Sequence, residues 1–69
     1  MFDERRFAAQ LALRGITQAE LAKQLNIDPS TLYRKVKAQG NFTRKEINQI
    51  IEILSIDNPA EIFFADELA

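Results

Sequence analysis

Four places in this 69-residue chain carry the side-chain chemistry of a helix start, and they leave little room for anything but helices. Thr17 followed by Glu20 fits a capping box, in which the hydroxyl takes the third backbone N–H and the glutamate reaches back to the first. Thr43 with Glu46 fits a second, and Asn58 with Glu61, Pro59 between them, a third. Asp28 before Pro29 is a fourth start, with a carboxylate at the positive end of the helix dipole and proline at the first helical position. Asp3 is the candidate cap of a first helix. Gly15 and Gly40 read as helix C-caps, where a left-handed backbone costs glycine nothing. The spacing predicts helices near 3–14, 18–25, 29–37, 44–54 and 59–67. Apolar residues recur at three- and four-residue spacing almost throughout, and strand-like alternation is confined to short stretches.

Five short helices cannot form a long parallel bundle. They are expected to make one all-α domain over residues 1–69, a compact orthogonal cluster around a single core. The expected core is Phe7, Leu11, Ile16, Leu21, Ala22, Leu25, Ile27, Leu32, Val36, Phe42, Ile47, Ile50, Ile51, Leu54, Ile56 and Phe63. Adjacent Ile50 and Ile51 imply that the fourth helix buries a wide arc.

Composition narrows the function. The chain has no cysteine and no histidine. Disulfides, thiolate nucleophiles and thiolate metal sites are therefore excluded, and the commonest general base is missing. There is no glycine-rich phosphate loop and no supported carboxylate pair, so the chain does not read as an enzyme, and no cofactor, metal or small-molecule ligand is expected. No apolar run reaches the length of a membrane span, and the N-terminus lacks the pattern of a signal peptide. A cytoplasmic protein is expected.

The net charge of −1 hides a strong segregation. Residues 1–22 sum to zero. Residues 23–45 hold Lys23, Arg34, Lys35, Lys37, Arg44 and Lys45 against Asp28 alone, a balance of +5. Residues 46–69 hold Glu46, Glu52, Asp57, Glu61, Asp66 and Glu67 with no basic residue, a balance of −6. The middle of the chain is suited to a polyanion and the end is not.

The basic block overlaps the most informative stretch, Gln18 to Lys37, QAELAKQLNIDPSTLYRKVK. It holds two short helices joined by Asn26-Ile27-Asp28. Leu21, Leu25, Ile27 and Leu32 point to a shared interior, and Ala22 sits where the helices cross. Asn26 occupies the turn position that needs a positive φ, which asparagine tolerates better than most residues. This is the arrangement of a helix-turn-helix, whose second helix enters the DNA major groove.

The segment ITQAELAKQLNIDPSTLYRKV resembles the helix-turn-helix of the Cro and repressor (xenobiotic-response-element) family of phage and bacterial regulators. The flanking helices also fall where that five-helix, lambda-repressor-like fold has them. Two positions depart from the family pattern: Asn26 stands where glycine is usual, and Lys35 where an apolar residue is common, with Val36 one position later. The resemblance implies a sequence-specific DNA-binding transcriptional regulator of repressor type, active on double-stranded DNA at a palindromic operator. It implies that Pro29, Ser30 and Arg34 face base edges, with Thr31 beside them. Arg34 is suited to a bidentate contact with guanine, worth about 1–3 kcal/mol of discrimination. Gln18, Tyr33, Lys35, Lys37, Asn41, Thr43, Arg44 and Lys45 are the implied phosphate contacts. For Thr43 the cap alone is a sufficient role, and Tyr33 fits a packing rim as well as a phosphate.

The acidic end carries Ile62, Phe63 and Phe64 in succession. Three successive helical residues span about 200°, more than one short helix can bury on a small core. One of them, with Phe64 the candidate, and Leu68 are expected to stay exposed unless the tail folds back. Ile62, Phe64 and Leu68 are the expected homodimer interface. The same end also fits a protein-interaction module, an antirepressor or antitoxin that binds another regulator.

Overall fold

The computed structural model describes residues 1–68, without the side chains of Glu67 and Leu68. It has α1 (Glu4–Arg14), α2 (Gln18–Gln24), α3 (Pro29–Lys37), α4 (Arg44–Leu54), α5 (Ala60–Phe63) and a closing 3₁₀ turn (Ala65–Leu68), with no strand among the described residues. The Cα radius of gyration is 11.0 Å, which matches the roughly 11 Å expected of a folded chain of this length.

The first four helices begin where their caps predict. Asp3 accepts the Arg6 N–H at 3.0 Å and Asp28 the Ser30 N–H at 2.8 Å. Thr17 and Thr43 each accept the backbone N–H of their glutamate at 3.1 Å, and Glu20 and Glu46 return the bond, so both boxes are complete. α1 ends on Gly15 at φ 65°, and α4 on Ser55 at φ 50°. Arg14 closes the far end of α4 by donating to the carbonyls of Leu54 at 2.7 Å and Ser55 at 3.0 Å. A guanidinium there also complements the negative pole of the helix.

The third box is absent. α5 begins one residue later than expected, with Pro59 at its start and no side-chain cap. Glu61 instead turns outward to Arg6, 2.8 Å away. Nor does this helix run to 67: the backbone leaves helical dihedrals at Phe64 (φ −137°) and tightens into the 3₁₀ turn. The cause lies at the other terminus. Residues 1–3 run beside this segment, with the Asp3 N–H on the Ile62 carbonyl at 2.7 Å and the Ala65 N–H on the Met1 carbonyl at 2.9 Å. The Met1 ammonium also pairs with Asp66.

This N-terminal strap brings in a core residue the periodicity passed over. Phe2 is buried, its ring centroid 5.3 Å from Phe7, 5.8 Å from Phe42 and 5.8 Å from Phe63. It also explains Gly40, which is not the cap of α3. That role falls to Ala38, and Gly40 lies two residues beyond at φ 69°. A Cβ on Gly40 would stand 2.4 Å from the Phe2 ring. The remaining core follows the expected list, with Leu21, Leu32, Ile50 and Leu54 fully enclosed. Ile16, Ile27, Phe42, Ile47 and Ile51 pack at its margin, half-buried. Ile62 is enclosed in the core as well.

Candidate nucleic-acid interface

α2 and α3 pack against each other, and Ala22 on α2 is fully buried. The Ile27 N–H closes the turn on the Ala22 carbonyl at 3.0 Å, and Asn26 has the expected left-handed conformation, φ 59°. This clamp leaves one side of α3 to solvent. Leu32 and Val36 point inward, whereas Pro29, Ser30, Tyr33, Arg34 and Lys37 are exposed. At 100° per residue those five occupy an arc of about 140°. Tyr33 lies well inside this arc rather than on its edge. Thr31 and Lys35 lie together on one flank, half-buried.

Local hydrogen bonds pre-set the arc. The Ser30 hydroxyl donates to Asp28 Oδ1 at 2.6 Å, beside the capping bond from its own N–H. These two bonds, with the nearby Arg34 guanidinium, hold the Asp28 carboxyl below the usual aspartate range. The Arg34 Nη2 lies 3.4 Å from Thr31 Oγ1, which inclines its long side chain back along the helix. The Lys37 ammonium sits 5.5 Å from the centre of the Tyr33 ring and 2.9 Å from Glu4. Bonding to that carboxylate raises its pKa above the ordinary lysine value.

The start of α4 borders the same side. A shallow cleft there runs between the α2–α3 turn and α4, lined by Leu25, Asn26, Thr43, Lys45, Glu46 and Gln49. Asn41, Thr43, Arg44 and Lys45 are exposed. Among the described residues, Arg34, Arg44 and Lys45 form no ion pair. Three free cations thus lie on α3 and the first turn of α4. A family model for the Cro/C1-type HTH DNA-binding domain matches residues 6–66. The chain belongs to that family. No curated protein and no solved structure matches it significantly.

Within this Cro/C1-type domain the implied contact residues do not all stand free. Gln18, at the first turn of α2, is half-buried. Lys35 is engaged: its Nζ is 3.3 Å from Glu46 Oε1, on the flank of α3 that faces α4. Burial pushes the Glu46 carboxyl up, but the Thr43 N–H and the Lys35 ammonium outweigh it and hold the group below its ordinary value. Glu46 reads in the sequence only as a capping residue. Its partner comes from another helix at a spacing that no motif marks.

The C-terminal end also needs a correction. Ile62 is 2% exposed, enclosed in the core, and has no surface to offer a partner. Phe64 is 46% exposed, as expected. It borders an apolar groove of about 480 Å³ between α4 and α5, lined by Arg44, Ile47, Asn48, Ile51, Pro59, Ala60 and Phe64. The side chain of Leu68 lies outside the described residues. No helix among the described residues is long and apolar enough to cross a membrane.

Proposed function

We propose that the protein is a sequence-specific transcriptional repressor of the phage Cro and repressor type, acting as a two-fold dimer on a palindromic operator. α3 enters the major groove. Pro29, Ser30 and Arg34, with Thr31 at the edge, meet base pairs, and Arg34 reads a guanine. Gln18, Tyr33, Lys37, Asn41, Thr43, Arg44 and Lys45 meet the backbone on either side. The observation that carries this reading is the exposed arc of α3, with Arg34 on it and the unpaired Arg44 and Lys45 beside it.

A second copy covers the α4–α5 groove through Phe64, placing two α3 helices about one DNA turn apart. The groove is apolar, and the segment after α4 has no cation to draw it to phosphate.

Selection of bound duplexes from a random pool tests the proposal. A palindromic consensus supports both specificity and two-fold symmetry. Arg34→Ala should then relax preference at one base pair per half-site, at a cost of about 1–3 kcal/mol. Arg44→Ala or Lys45→Ala should weaken binding to every sequence and flatten the salt dependence. Absence of binding at about 50 mM salt, where phosphate contacts are strong, would overturn the DNA role. The apolar groove would then favour a module that docks another regulator.

A further inference from the structure

Two lysines of α3 face carboxylates from other helices, and the two pairs differ in kind. Lys37 and Glu4 are 2.9 Å apart with side chains 53% and 46% exposed. Such a pair is screened by water and salt, so a phosphate can replace Glu4. Lys35 and Glu46 are 3.3 Å apart with side chains 24% and 15% exposed. The same Glu46 oxygen also accepts the Thr43 N–H at 2.8 Å, so the capping box holds the carboxylate in place and it cannot follow the lysine outward. Moving Lys35 to a phosphate would strand a pinned, largely covered carboxylate without its counter-ion, which is unfavourable.

We infer that Glu46 withholds Lys35 from the DNA backbone and makes it a positioning residue that fixes the roll of α3 against α4. The inference rests on the DNA reading and corrects one of its contacts. Lys35 lies one turn after Thr31, on the flank of α3 away from the middle of the exposed arc, and it adjoins Arg34 in the chain. Tying it to the first turn of α4 sets where the Arg34 guanidinium emerges. It also removes one cation from the electrostatic footprint, which lowers affinity for arbitrary DNA without touching the base-reading face.

The test is a binding titration of a labelled random-sequence duplex across a salt series, for the wild-type chain and four variants. In the wild type, Lys35 contributes nothing to the salt slope. Lys35→Met should therefore leave the slope unchanged, whereas Lys45→Ala, a reference outside the α4–α5 groove, loses about 0.9. Glu46→Gln keeps the capping box but frees the lysine, so the slope should steepen by about 0.9, or roughly 3-fold more affinity lost over a fourfold rise in salt. The double variant Lys35→Met/Glu46→Gln should return to the wild-type slope. A flattened slope in Lys35→Met, no steepening in Glu46→Gln, or a steep double variant would each overturn the inference. Positioning has its own readout. Lys35→Met should lower the ratio of affinity for the selected duplex over the random one several-fold, and Lys35→Arg should restore it. An unchanged ratio would overturn that role. Wild-type binding that is absent or independent of salt is a different failure. It would overturn the DNA reading and this inference with it.

Discussion

The α2–α3 unit and the C-terminal end of the molecule are held in place by opposite means. In α2 and α3 each N-terminus is closed by a side chain within three residues of the group it caps, Thr17 on Glu20 and Asp28 on Ser30. The turn between them closes on its own backbone at Asn26 and Ile27. α5 has four residues and no side-chain cap, well below the length at which a helix sustains itself. It is held by residues more than fifty positions away: the Asp3 N–H on Ile62, the Phe2 ring against Phe63, and Arg6 against Glu61. The difference separates what must be rigid from what must be assembled. The helix-turn-helix carries its geometry in short-range bonds. The segment that borders the α4–α5 groove is held by contacts with the N-terminus.

The largest test of this contrast is Phe2→Ala. Truncating a buried phenylalanine costs about 3–5 kcal/mol, and a chain of this length holds only a few to about 10 kcal/mol in reserve. Urea denaturation followed by circular dichroism should show most of the stability lost. A loss under about 1 kcal/mol would mean that the strap is peripheral to the core and that α5 stands without it.

Next in size is a pair of glycine replacements. Gly40→Ala meets both a left-handed backbone and the Phe2 ring, 2.4 Å from the added carbon. A left-handed alanine costs about 1–2 kcal/mol and overpacking a further 1–3 kcal/mol. Gly15→Ala shares the positive φ but meets nothing within 4 Å, so only the backbone cost of about 1–2 kcal/mol should appear. The difference between the two melts measures the strap directly. Equal costs would place Phe2 elsewhere.

Smaller effects come from the caps, where the two regions should again part. Thr17→Ala and Thr43→Ala each remove a hydroxyl acceptor and should cost about 1 kcal/mol. Asn58→Ala should cost almost nothing, because α5 has no side-chain cap. Acid provides a second measurement. Asp28 and Glu46 are held below their ordinary values of 3.8 and 4.5 in the fold. The unfolded chain therefore binds protons first as pH falls, and stability rises with pH across that interval. The contribution is fully present above the ordinary values and is lost as pH drops through the depressed ones. Asp28→Asn with Glu46→Gln keeps both caps without titrating, and should flatten the acid limb of the melting temperature below about pH 4.

What the sequence displayed follows the same division. The first four helix starts, the Asn26 turn and the inward face of α2 and α3 depend on neighbours within a few positions and were legible, whereas the start of α5 was not. Phe2 was not, because it precedes the first cap and belongs to no helical period. Among Ile62, Phe63 and Phe64 the pattern shows that one residue must stay out, but the choice depends on how α5 is rotated. In the structure Ile62 is buried and Phe64 exposed, with the strap bonded to the backbone at Ile62 and Ala65. The basic block around α3 was legible as charge. The engagement of Lys35 by Glu46 and of Lys37 by Glu4 was not, since these partners lie 11 and 33 positions away on other helices. Family resemblance and charge mark the candidate DNA face. Packing decides which of its cations are free.

The smallest expected effect concerns the ion pair at the join of the two termini. Arg6 reaches Glu61 at 2.8 Å, but both side chains are largely in water. A double-mutant cycle of Arg6→Ala and Glu61→Ala, read by thermal or urea unfolding, should give a coupling of about 0.2–1 kcal/mol. Salt should reduce it further. The pair crosses the same gap as Phe2 and Phe63, so the cycle asks which of the two long-range links seats α5. A coupling near the low end assigns that task to the aromatic contacts. A coupling well above 1 kcal/mol would mean that charge seats the helix, and the acidic end would then depend on ionic strength in a way the locally capped α2–α3 unit does not.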